Sequence, residues 1–96
     1  MFVILVTYKK PLEIVDKYLT DHATFLDHGY QKNYFIVSGR KNPRTGGVII
    51  SQLKNRKKLD DILKLDPFFT HEIADYEIIE FMSGKNHPDF SPFIEH

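Results

Sequence analysis

The chain contains no cysteine, so neither a disulfide framework nor a thiolate metal site is open to it, and a reducing compartment is the fitting environment. It also has no excess of charge of either sign. Thirteen Lys and Arg stand against thirteen Asp and Glu, which removes any general electrostatic pull toward nucleic-acid backbones or anionic membranes. Long hydrophobic runs are missing too. The one apolar stretch at the N-terminus, Met1 to Tyr8, is far too short to span a bilayer. With no basic segment before it and no small-residue cleavage site after it, it is expected to be a strand rather than a leader. Together these absences predict a soluble, cytoplasmic protein without a nucleic-acid or membrane partner. The sequence shows no phosphate-cradling GxxxxGK loop, no GxGxxG and no GxSxG, so the familiar nucleotide and serine-hydrolase signatures are absent. Internal repeats, linkers and low-complexity segments are lacking as well.

What is present suffices for one domain. Ninety-six residues make a single unit, here 1–96, and 42% hydrophobic with 14% aromatic residues can fold without staples. Phe2 to Tyr8 is almost continuously apolar and rich in β-branched residues, the mark of a strand buried on both faces. Pro11 suits the opening turn of a helix. Leu12, Val15, Leu19, His22 and Leu26 then recur at spacings of three and four as one stripe. Gly29 falls where a left-handed cap would end that helix. Asn33 to Ser38 reads as a second strand ended by Gly39, residues 40–46 as a loop, and Gly47 to Leu53 as a third strand in a hairpin with the second. Asn55 is a fitting N-cap for a second helix whose inner face is Leu59, Ile62 and Leu63. Pro67 ends that helix at about Asp66, and Phe68 to Ala74 has room for one further turn. Asp75 to Met82 reads as the last strand, and the tail from Lys85 is either frayed or an arm laid on a partner.

The order β-α-β-β-α-β, folded with right-handed crossovers, gives an α+β domain of ferredoxin-like type: a four-stranded antiparallel sheet with two helices on one face. Yet both faces of the sheet are apolar, with Phe2, Ile4 and Val6 opposed to Val3 and Leu5, and Ile49 opposed to Val48 and Ile50. At roughly 25 cal/mol per Å² of apolar area, the face without helices needs a cover. A second copy packed sheet to sheet is the simplest one; a partner protein or an apolar ligand is the rival.

The residues able to carry chemistry are few. His22 stands on the apolar stripe, and is either a core histidine bonded to a backbone carbonyl or a general acid–base. Asp66 precedes Pro67, which reads as ordinary turn chemistry; an acid at a helix C-terminus nevertheless opposes the dipole, and a buried carboxylate can orient an imidazole. Arg40 and Arg44 could clamp an anionic group. Gly39 and the Gly46–Gly47 pair allow close backbone approach. Tyr8 either donates its hydroxyl to a ligand or caps the core. His28, His71, His87 and His96 are scattered without metal-ligand spacing; no metal and no cofactor is expected. Lys54 to Lys58 carries a short basic cluster that reads as solvated surface.

Taken in order, Asp21-His22-Ala23-Thr24-Phe25-Leu26, the Ser38-Gly39-Arg40 strand end, the segment Arg44-Thr45-Gly46-Gly47-Val48-Ile49-Ile50 and Leu65-Asp66-Pro67-Phe68 resemble the YciI-like (YCII-related) family from Met1 to about Met82. The resemblance implies a dimeric α/β barrel, in which two ferredoxin-like sheets pack face to face. It also implies a site built on a histidine–aspartate pair, here His22 and Asp66, with Ser38, Arg40, Tyr8, Arg44 and Gly47 as candidate substrate-binding residues. Relatives in that superfamily include small lactone isomerases, dehydrochlorinases of chlorinated aromatics and cofactor-free monooxygenases. In an ideal βαββαβ unit His22 and Asp66 tend toward opposite ends of the sheet. They meet only if the second helix is short or tilted, or if the following turn folds back.

Three functions compete at this stage. One is a cofactor-independent acid–base enzyme, of isomerase or dehydrochlorinase type, acting on a small anionic or ring substrate. The second is a ligand-binding or regulatory module using the same pocket without turnover. The third, an RNA-binding domain of the same element order, is disfavoured by the neutral charge and by a third strand without an aromatic residue.

Overall fold

The computed structural model describes residues 1–94; His96 lies outside the described residues. The chain forms β1 (Phe2–Tyr8), α1 (Leu12–Gln31), β2 (Phe35–Arg40), β3 (Gly46–Ser51), α2 (Arg56–Leu63), α3 (Pro67–Thr70), β4 (Ala74–Glu80) and a terminal 3₁₀ turn at Pro88–Phe93. The strands assemble in the order β2-β3-β1-β4, every neighbouring pair antiparallel. This is the ferredoxin-like arrangement.

Side chains alternate across β1 as period-2 geometry requires. Phe2, Ile4 and Val6 are buried beneath the helices together with Phe35, Ile49, Val15, Leu59, Leu63 and Phe68. The opposite face is apolar and without a cover in the single chain. In one row across the sheet Ile79, Val3, Ile50 and Val37 lie side by side, with Val37 50% and Ile79 45% exposed.

Several boundaries differ from the sequence reading, each for a packing reason. α1 does not stop at Gly29. That glycine is helical and buried, and a Cβ there would come within 2.2 Å of the Phe35 ring. Its smallness lets β2 close on the helix, while the left-handed residue is Asn33, with φ 61°. β2 begins later, because Asn33 and Tyr34 close α1 through bonds to the Tyr30 and Gly29 carbonyls, and it runs through Gly39 to Arg40 with an irregularity in its pairing between Phe35 and Val37. β3 begins at Gly46, where a Cβ would meet the Val6 carbonyl oxygen at 1.8 Å; only glycine lets β3 pass so close to β1.

The second helix departs most usefully. Asn55 caps α2, its side chain accepting from Lys58 N, but the helix ends at Leu63, three residues before Asp66. Asp66 is extended (φ −68°, ψ 127°) and becomes the N-cap of α3, with Pro67 in the first turn. An Asp-Pro pair is as good a helix start as a helix stop. β4 then starts at Ala74.

Candidate active site

Asp66 is fully buried and hydrogen-bonded on both oxygens. Oδ1 accepts the Phe68 backbone N–H at 3.0 Å, which is the α3 cap, and also faces His22 Nδ1 at 2.8 Å. Oδ2 accepts the Tyr76 hydroxyl at 2.5 Å. His22 and Asp66 therefore meet. The shortness of α2 and the reversal into α3 supply the condition on which that meeting depended.

The His22 ring is held by aromatic neighbours. It stacks on Phe68 with centroids 4.0 Å apart and planes 6° off parallel, and Phe25 lies 6.3 Å away on the same helix. With Nδ1–H given to a carboxylate, Nε2 is left as the basic nitrogen. The ring is 14% exposed, and its open side lines a cavity of about 200 Å³ between α1 and the β2–β3 end of the sheet.

Five of the seven residues singled out from sequence line that cavity: His22, Tyr8, Ser38, Arg40 and Gly47. Val6, Leu19, Leu26, Ile49 and Phe68 give it an apolar wall. Asp66 lies behind His22, out of solvent. Arg44 is not part of the wall. Its guanidinium bonds to Asp16 Oδ1 at 2.5 Å, tying the β2–β3 loop to α1. That hydrogen bond, with the Asp16 charge and the adjacent Tyr8, holds the Arg44 pKa above its ordinary value.

Sequence reasoning missed three supporting residues. Tyr30 hydrogen-bonds Ser38 through their hydroxyls and so fixes the serine on the cavity wall. Phe68 supplies the stacking floor under His22. Tyr76 is the third partner of Asp66. It stands opposite Val6 in the β1–β4 register, hence on the helix-covered face, and that inward position on β4 is the signal that could have found it. Burial next to the Asp66 carboxylate pushes the Tyr76 phenol far above its ordinary range. Among the described residues, no group of His, Cys, Asp and Glu is placed to hold a metal ion.

A buried carboxylate paired with an imidazole on a small cavity that Ser38 and Arg40 also line is an arrangement able to carry acid–base chemistry. The fold is shared with a solved enzyme, 5-chloro-2-hydroxyhydroquinone dehydrochlorinase (TftG) from Burkholderia phenoliruptrix AC1100 in complex with 2,5-dihydroxybenzoquinone. The TM-score is 0.71 at 16% identity, covering 88% of this chain and 96% of that one. Residues 1–82 match the YCII-related domain, and the chain belongs to that family. No curated protein matches it in sequence. The family match ends at Met82, so the tail lies beyond it.

Proposed function

We propose that the protein is a small cofactor-independent enzyme that moves protons on a monocyclic, acidic substrate, with His22 as general base and acid. The observation that carries this reading is the 2.8 Å contact between His22 Nδ1 and Asp66 Oδ1 behind a cavity onto which the imidazole opens. Nε2 takes a proton from a ring hydroxyl or an acidic C–H. Asp66 stabilises the imidazolium so formed without itself being protonated. Arg40 and the Ser38 hydroxyl hold the oxyanion that the proton leaves behind. Return of the proton to a different atom of the ring is an isomerisation; loss of a ring chloride after deprotonation is a dehydrochlorination. The cavity volume suits one ring, since a pocket of about 150 Å³ accepts benzene. The likeness of fold to a dehydrochlorinase that binds a dihydroxybenzoquinone supports this substrate class.

The protein works as a homodimer in this reading, its apolar sheet face covered by a second copy, as in a dimeric α/β barrel. No helix among the described residues is long and apolar enough to cross a membrane, and a cytoplasmic location accords with the lack of cysteine.

The test is a turnover screen of chlorinated hydroquinones and unsaturated lactones with the purified protein and with His22→Gln. Loss of a general base costs about 10²–10⁴-fold in rate. A His22→Gln protein that turns over at the parent rate would rule out the mechanism. A ligand bound tightly and recovered unchanged from the active protein would make the pocket a binding module.

A further inference from the structure

Of the three side chains linked by hydrogen bonds here, the mechanism above uses two, His22 and Asp66. The third, Tyr76, reaches Asp66 from β4, on the side of the carboxylate away from His22, and has no access to the reacting space; it is not among the residues lining the cavity. Its ring is set edge-on against Phe69, with centroids 6.0 Å apart, and its inward place on the sheet is fixed by pairing with Val6. A tyrosine so held can present its O–H in one direction only, toward Oδ2.

A wholly buried carboxylate needs donors to stay ionised. Asp66 has one from the α3 backbone and one from His22, both on Oδ1. Tyr76 is the single donor on Oδ2 among the described residues. It is a neutral group, so it shares the carboxylate's charge without bringing a competing cation.

We propose that Tyr76 is a positioning residue of this site, holding Asp66 in place as the acceptor for His22 and thereby setting the pH at which Nε2 is free to take a proton. The inference rests on the acid–base reading of His22, and the chemistry is general. A carboxylate relieved of one donor concentrates its charge on the remaining partners and binds an imidazolium more strongly. A carboxylate given a stronger donor binds it less. The other titratable groups around His22 are Tyr8 and Arg40 across the cavity, and Tyr18, one turn back on α1, stacked on His71 at the end of α3. None of these touches Asp66.

The test is the titration of the His22 imidazole, followed by NMR, in the full chain. Tyr76→Phe moves the imidazole titration to higher pH, and 3-fluorotyrosine at position 76, a stronger donor of nearly the same shape, moves it to lower pH. Both shifts vanish in an Asp66→Asn background, where no carboxylate carries them. A His22 titration that ignores the donor strength at position 76, or that still responds once Asp66 is replaced, overturns the proposal. If Tyr76→Phe does not fold, the fluorotyrosine protein decides alone. A tyrosine that merely packed would alter stability and leave the titration in place. The measurement needs no substrate, so a fruitless turnover screen leaves it intact. Conversely, a flat titration leaves the role of His22 to be judged on His22→Gln.

Discussion

Replacing Asp66 by alanine should be among the most damaging single changes in this chain, although Asp66 belongs to no helix or strand. The substitution removes the side-chain cap of α3, worth about 1 kcal/mol. It also strands two donors. The Tyr76 hydroxyl and the His22 Nδ1–H both lose their acceptor. A buried donor left unpaired costs about 1–3 kcal/mol, less for His22, whose ring is partly open to the cavity. The total is about 3–5 kcal/mol, against the 5–15 kcal/mol that typically holds a domain together. In urea, with a slope of about 1–1.5 kcal/mol/M for a chain of this size, the unfolding midpoint falls by about 2–5 M at unchanged slope. Asp66→Asn keeps the volume and an acceptor oxygen for the α3 cap, and should lose no more than about 2 kcal/mol. An Asp66→Ala midpoint within about 0.5 M of the parent would refute the reasoning, because it would mean that the three hydrogen bonds do not converge on a buried carboxylate.

Three other outcomes follow from particular contacts. Tyr76 has its folded-state pKa raised by burial and by Asp66, so the stability it contributes is full below its unfolded value of about 10. Above that pH the unfolded chain releases a proton that the folded chain keeps, and stability falls by up to about 1.4 kcal/mol per pH unit; unfolding measured between pH 9 and 11.5 should show a decline that Tyr76→Phe flattens. Gly29→Ala gains about 1 kcal/mol of helix propensity but drives its methyl into the buried Phe35 ring at 2.2 Å; a net loss of about 1–2 kcal/mol is expected, and a thermal midpoint at or above the parent's would contradict the packing argument. The pair Val37→Lys and Ile79→Lys places charges on the two edge strands of the uncovered face, at positions already about half exposed. For the proposed homodimer, sedimentation should show dimer giving way to monomer with circular dichroism unchanged, and a protein that stays dimeric would exclude this face as the interface.

The fold was legible because its signals are local and repeated. β1 was read to the residue, since a run of β-branched residues bounded by Lys9-Lys10-Pro11 has one sensible extent. Boundaries slipped where the deciding contact is distant in sequence. Gly29 looks like a helix cap when only its neighbours along the chain are considered; it is a packing glycine because Phe35 lies against it. The two-sided apolar pattern was informative for the opposite reason. It is a property of alternation alone, and the row Ile79, Val3, Ile50 and Val37 is where that alternation leads.

The site was half legible, and the meeting of His22 with Asp66 turns on one dipeptide. Asp66-Pro67 was read as the end of a helix, and under that reading the carboxylate sits at the negative pole of α2, far from His22. The structure makes it the beginning of α3 instead. The same two residues then put the carboxylate at a positive helix end, give its Oδ1 the Phe68 N–H, and turn the Phe68 ring beneath His22. A proline that can close one helix or open another is ambiguous locally. What resolves it is the burial of Asp66, since an unpaired carboxylate could not be sealed in this core at tolerable cost. His22 and Tyr76, 44 residues before and 10 residues after it, are therefore as much a condition of the chain reversal at Pro67 as a product of it. The pairing of His22 with Asp66 is built into the fold: deleting Asp66 also removes the cap of α3.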